Sequence, residues 1–242
     1  MNIFNIPVYY ISFNKQETLE NSCKKLGFNN VNHFKAIDGR KFVPKTLLEE
    51  NKITMRAYKD LTKGREEHSG IPSLGAIGCF LSHKALWEKC IKDNIPNILI
   101  LEEDVNLPNK MNKNLVKNIE LVLSKKNGIF ISSTLGKDKS FEGSQCYFAS
   151  IGACKELFKK SNPIDIQVDY YKSFLAENNS INLEGYKFAG QKLHPSSIQG
   201  INCFKCYLPK GVLFYILLCG FIFFLIIISI ILYKLVNKYK KN

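Results

Sequence analysis

Apolar positions recur along the chain in two rhythms, short β-branched runs and longer helix-spaced stripes, before a single unbroken apolar stretch near the end. Residues 7–13 (PVYYISF) are β-branched and aromatic and predict an opening buried strand. Residues 15–26 have helical composition and stop at Gly27, a natural residue just past a helix end. A second strand is expected over 33–37, closed by the turn signal Asp38-Gly39. Residues 40–72 are polar and lysine-rich with no firm period, which predicts a variable, partly mobile insertion. Ser73 is placed to cap a helix through SLGAIGCFLSHKALWEKCIKD, with Leu74, Ile77, Gly78, Leu81 and Ala85 on one face. Pro96 separates that helix from NILILEED, a buried strand ending in acids. Further helices are expected over 110–126, 151–160 and 168–178, with strands over 128–133 and 145–149 and a break at Asn162-Pro163. Strands alternating with helices predict one α/β domain built on a largely parallel sheet.

The unbroken stretch, residues 212–232 (VLFYILLCGFIFFLIIISIIL), carries no charge. A helix over it is about 31 Å long, the thickness of a bilayer's hydrocarbon core. Lys205 and Lys210 precede it, and Lys234, Lys238, Lys240 and Lys241 follow, so both ends can reach headgroups. The expected organisation is a domain over 1–202, a juxtamembrane linker over 203–211, a transmembrane helix over 212–232 and a basic tail over 233–242. The N-terminus does not read as a signal peptide, because it lacks a basic region and Asn5 and Pro7 interrupt its apolar run. A single-pass protein with a C-terminal anchor and a cytosolic domain is therefore expected. The ending KYKKN fits a dilysine retrieval pattern read from the cytosol, whereas the positive-inside tendency of the tail lysines argues for the opposite orientation.

Charge changes this picture little. The formal net charge is +13, yet only Arg40, Arg56 and Arg65 are arginines among 34 basic residues. Nucleic-acid recognition favours the arginine fork, and no basic patch with interleaved aromatics stands out, so no nucleic-acid partner is expected. The lysines suit attraction to anionic lipid headgroups. The 8 cysteines match no secreted disulfide scaffold, and the Cys203/Cys206 pair lacks the second pair that a zinc site requires.

The sharpest chemical signal is residues 99–104 (LILEED), a buried strand ending in consecutive carboxylates. Such acids sit at the sheet edge where α/β folds bind ligands, and their mutual repulsion calls for a cation. Oxygen donors suit Mn²⁺ or Mg²⁺. Alternate strand residues share a face, which makes Glu102 and Asp104 the expected ligand pair, with Glu103 turned away. The competing account is a solvated strand end. Cys79, His83 and Trp87 line one helix face, and Asp165 and Asp169 form a second acid cluster at a helix start, where the helix dipole alone would favour them.

The order of these pieces carries a resemblance. GAIGCFLSHKALW lies before LEED, AIDG occupies 36–39, and NPIDIQVDYY occupies 162–171. In this arrangement the chain resembles glycosyltransferase family 25, the lipooligosaccharide and collagen galactosyltransferase-like enzymes, over most of residues 7–200. The resemblance implies a glycosyltransferase-A type fold and a metal-dependent, inverting transfer of a hexose. The implied donor is a nucleotide sugar, UDP-galactose in the leading case, and the implied acceptor is a glycan or glycoconjugate, as in lipopolysaccharide biosynthesis. It implies Glu102 and Asp104 as ligands of Mn²⁺ or Mg²⁺, and Asp169 as the base that deprotonates the acceptor. Asp165 would hold local structure or touch the acceptor. Donor binding falls to Asp38, Gly39, Ser82, His83 and Lys15. For Asp38 an Asx-turn is the plain alternative, for His83 a packing role. His194 is a further possible metal ligand, with an ordinary loop histidine as the alternative.

The pattern also departs from the family. Lys15 stands where an arginine-rich segment is usual, Ala76 replaces an acid, and Glu103 replaces an aspartate. These departures favour an alternative, a catalytically inactive, membrane-attached glycan-binding or scaffold relative. A metal-dependent hydrolase using the same acids is the third reading.

Overall fold

The opening β-branched run forms β1 (Val8–Ser12), and the helix ending at Gly27 is α1 (Glu17–Lys25). These belong to a computed structural model that describes residues 1–133, 141, 143–192 and 223. The chain divides into two units, 1–202 and 203–242, and the first carries the described architecture. The expected span over 212–232 lies outside the described residues except for Phe223, as do the juxtamembrane cysteines, the basic tail and His194. Among the described residues, no helix is long and apolar enough to cross a membrane.

After α1 come β2 (Val31–Lys35), α2 (Pro44–Glu49) and α3 (Met55–Lys63). The long helix α4 (Leu74–Lys92) follows, with Ser73 Oγ accepting the amide N–H of Ala76 at 3.3 Å, so the expected cap is formed. Then come β3 (Asn97–Glu102), β4 (Val105–Asn106), α5 (Lys113–Leu123), β5 (Gly128–Ile131), β6 (Cys146–Ser150) and α6 (Ile151–Lys159). The described chain closes with α7 (Val168–Glu177), β7 (Asn182–Gly185) and β8 (Gly190–Gln191).

Six strands make the central sheet in the order β2-β1-β3-β6-β5-β7. The β1–β2, β1–β3 and β5–β7 pairs are parallel, and β6 alone runs against its neighbours. The result is a mixed, mostly parallel sheet with helices on both faces. Alternation along each strand decides which helix it meets. Ile98 and Ile100 of β3 share a core with Trp87, Leu86 and Phe80 of α4, Cys154 and Leu157 of α6, and Tyr171 and Leu175 of α7. Leu99 and Leu101 join the opposite core with Leu19 and Cys23 of α1 and Ile119 and Val122 of α5.

Residues 40–72, expected as a mobile insertion, instead contain α2 and α3. Leu47, Ile53, Ala57 and Ile71 from this segment enter the α4-side core, and Ile53 bridges to Ile164. Burying those apolar side chains is what gives the polar segment regular structure.

Candidate functional site

Three parallel strands deliver their C-terminal ends to one edge. Lys15 follows β1, Asp38 follows β2, and Glu102 ends β3. That edge is where an α/β sheet leaves room for a ligand. Lys15 is solvent-exposed there.

Glu102 shares the face of Ile98 and Ile100, so its side chain turns toward α4. Its Oε1 lies 3.1 Å from His83 Nε2, and His83 Nδ1 lies 2.9 Å from Tyr147 Oη on β6. Trp87, one turn beyond His83, donates its indole N–H to the same Tyr147 oxygen at 2.9 Å. Burial first, then the Asp104 carboxylate, pushes the Glu102 pKa up to about 7. Burial and the Lys172 charge push His83 down to about 3, so its ring is neutral.

Asp104 sits in the turn after β3, held by the small β4–β8 ladder. Gln191 Nε2 donates to Asp104 Oδ2 at 2.7 Å, and the Lys192 amide donates to its backbone carbonyl at 2.7 Å. Asp104 Oδ1 is buried and has no hydrogen-bond partner among the described residues. A carboxylate oxygen in that state is destabilised unless a cation or donor meets it. Two crowded carboxylates, one with an orphaned oxygen, fit a hard divalent ion.

Asp169 occupies the first turn of α7, and burial followed by the Glu102 charge raises its pKa. Lys172, one turn further on the same face, is fully buried. Its ammonium donates to Ser144 Oγ at 2.5 Å and to the Val168 carbonyl at 3.1 Å, and lies 4.7 Å from the centre of the Tyr147 ring. Burial lowers its pKa to about 8, opposed by Asp169 and Glu102. This lysine is the cation whose charge reaches Cys79, His83, Glu102 and Asp169 alike.

The other expected site residues are engaged in bonds within the protein. Asp38 holds Arg40 through Oδ1 to Nε at 2.7 Å and Oδ2 to Nη2 at 3.0 Å, and also accepts the Arg40 amide. The neighbouring guanidinium lowers its pKa. This is the Asx-type turn, closed by a salt bridge. Ser82 Oγ donates to the Gly78 carbonyl at 2.8 Å and accepts the Ile37 amide at 2.9 Å, which ties the 36–39 loop to α4. Gly39 lies against α4, where a Cβ would meet the Leu74 carbonyl oxygen at 1.8 Å. Asp165 accepts Thr54 Oγ1 at 2.5 Å and Arg56 Nη1 at 3.3 Å, joining the loop before α7 to the start of α3.

Sequence reasoning did not single out Tyr147, Lys172, Ser144 or Gln191. The i, i+3 spacing of Asp169 and Lys172 on one helix was the available signal for the lysine. Tyr147 carried none, because one tyrosine in an apolar strand looks like packing.

Comparison with known proteins identifies a family. Residues 5–189 match the model of glycosyltransferase family 25 (LPS biosynthesis protein). A glycosyltransferase 25 family member of Drosophila melanogaster is 29% identical over 103 residues, 43% of this chain and 16% of that protein. Procollagen galactosyltransferase 2 of Homo sapiens is 30% identical over 82 residues, 34% of this chain and 12% of that protein. The inactive glycosyltransferase 25 family member 3 of Mus musculus is 28% identical over 91 residues, 38% of this chain and 14% of that protein. The matched stretch thus spans at most 16% of each of these relatives' lengths.

Proposed function

The chain belongs to glycosyltransferase family 25, and from that premise we propose that it is a metal-dependent hexosyltransferase with a glycosyltransferase-A type fold. It transfers a hexose, galactose from UDP-galactose in the leading case, to a glycan or glycoconjugate, with inversion. The observation that carries this reading is the acid pair at the end of β3, where Asp104 Oδ1, beside Glu102, is buried with no hydrogen-bond partner among the described residues. Glu102 and Asp104 would hold Mn²⁺ or Mg²⁺. When bound, the ion supplies Lewis-acid stabilisation of the charge developing on the departing nucleoside diphosphate.

Asp169 is the residue assigned to take the proton from the acceptor hydroxyl. Its raised pKa makes its carboxylate a stronger base than an exposed aspartate. Lys172 keeps positive charge beneath the acids and offsets their repulsion. Lys15, exposed at the same edge, would meet donor phosphates. The apolar segment 212–232 would anchor this site beside membrane-bound acceptors, which raises their effective concentration.

The name of the murine relative keeps a second reading in play, an inactive glycan-binding member. The occupation of Asp38 by Arg40 favours it, since that carboxylate is already engaged. A donor screen on the full chain in detergent micelles, reading nucleotide release with and without Mn²⁺, separates the two. Release that requires Mn²⁺ and acceptor supports the transferase. Sugar release at equal rates with and without acceptor identifies a hydrolase, and no binding or turnover of any nucleotide sugar overturns the proposal.

A further inference from the structure

The buried hydroxyl of Tyr147 decides which nitrogen of His83 carries the proton. Trp87, Tyr147 and His83 are all fully buried. An indole nitrogen can only donate, so the 2.9 Å contact from Trp87 Nε1 makes Tyr147 Oη an acceptor there. The phenolic proton then needs an acceptor of its own, away from water. His83 Nδ1, at 2.9 Å, is the one acceptor placed to take it among the described residues. The reverse assignment would put two N–H groups on one oxygen and leave a buried O–H unbonded. With Nδ1 accepting, a neutral imidazole carries its proton on Nε2, which faces Glu102 Oε1 at 3.1 Å.

We propose that Trp87, Tyr147 and His83 form a directional hydrogen-bond relay that positions Glu102. Each donor points to the next acceptor: Trp87 N–H to Tyr147 Oη, Tyr147 O–H to His83 Nδ1, and His83 Nε2–H to Glu102 Oε1. The relay fixes one carboxylate oxygen and leaves Oε2 for a ligand. His83 is thus a positioning residue rather than a donor-sugar contact. One consequence concerns Cys79, His83 and Glu102, whose potential ligand atoms lie within 4.8 Å of one another. In this tautomer Nε2 has no free lone pair, so the trio is not a soft-metal site. Only the link to metal binding rests on the proposed function; the tautomer does not.

The test is ¹⁵N NMR of the imidazole rings in the full chain in detergent micelles, with the His83 signals assigned by His83→Gln. The expected spectrum has a protonated Nε2 and an unprotonated Nδ1 in His83, and Tyr147→Phe moves the Nδ1 resonance to that of a nitrogen without a hydrogen bond while Nε2 stays protonated toward Glu102. A protonated Nδ1 in the parent chain overturns the relay, whatever the enzyme assay gives. In a parallel titration with Mn²⁺ alone, His83→Leu weakens binding about 10- to 100-fold, the usual effect of removing a group that orients a metal ligand. His83→Gln, whose amide N–H can replace Nε2–H, retains most of the affinity. Equal affinities for the parent chain and His83→Leu overturn the positioning role. A parent chain that binds no Mn²⁺ overturns the metal reading of Glu102 and leaves the tautomer to decide the relay.

Discussion

Gly39 and Gly78 meet backbone to backbone: a Cβ on Gly78 would lie 2.5 Å from the Gly39 nitrogen and 2.4 Å from the Ile37 carbonyl oxygen. Two sequence motifs far apart in the chain are therefore one packing event, closed by the bonds of Ser82 Oγ to Ile37 and Gly78. Backbone atoms cannot yield as a side-chain tip can. Gly78→Ala is expected to destabilise the domain by about 1–3 kcal/mol through overpacking. In a domain of this size that is a Tm lower by about 3–10 °C, read by calorimetry on the full chain.

The two aspartates of the 162–171 motif separate by their partners. Asp165 is engaged by Thr54 and Arg56, while Asp169 shares the field of Glu102 and Lys172. Asp165→Asn is expected to cost about 1–2 kcal/mol of stability, because the hydroxyl bond is charge-assisted and the half-exposed Arg56 pair adds little. Its kcat stays near that of the parent chain. Asp169→Asn is expected to lower kcat by about 10²–10⁴-fold, the range for loss of a general base, with donor KM unchanged. Steady-state kinetics and thermal melts on the two variants check this pair, and a reversal of the two patterns would exchange their roles.

Legibility followed how locally each element is stabilised. The β1, β3 and α4 runs are strongly apolar or periodic and could be read directly. The helices α2 and α3 could not, because six and nine residues give few turns in which a period can appear. Their order comes from Leu47 and Ala57 entering a core built by distant residues. NLEG has little β character, and β7 exists because the edge of β5 supplies backbone partners. At the site, the acid strand end and Asp169 stood out in the sequence as candidate chemistry. Lys172 did not, since lysine is rarely buried, and what makes it tolerable here is the bonds to Ser144 and Val168, the Tyr147 ring and the charges of Asp169 and Glu102. Asp38 was readable both ways, and the guanidinium two residues on settles its immediate bonding.

Removing either carboxylate of the β3 end tests the metal reading. Glu102→Gln and Asp104→Asn are each expected to lower Mn²⁺-dependent nucleotide release by about 10²-fold or more, several kcal/mol of lost charge stabilisation. Asp104→Asn also removes the like charge that presses on Glu102, so its melting temperature is expected to hold or rise. Isothermal titration with Mn²⁺ gives the affinity directly. Unchanged Mn²⁺ binding in both variants would place the ion elsewhere.

Lys172 gives the fold a pH dependence whose sign is fixed by its burial. Its pKa falls from an ordinary value near 10.5 to about 8, because desolvation outweighs the pull of Asp169 and Glu102. Between those values the unfolded chain holds a proton that the folded chain does not. Stability from this group therefore rises as pH climbs from about 8 toward 10.5, and its penalty is largest below pH 8. From pH 8 to 10 the linkage amounts to about 2 kcal/mol. Lys172→Met removes it. The buried thiols of Cys23 and Cys146 titrate in an overlapping alkaline range with the opposite sign, but they are common to both proteins and cancel in the difference. Denaturant unfolding of the full chain and of Lys172→Met across this range is expected to show the parent gaining stability relative to the variant as pH rises. A constant difference would mean that the ammonium is better solvated than its bonds to Ser144 and Val168 imply.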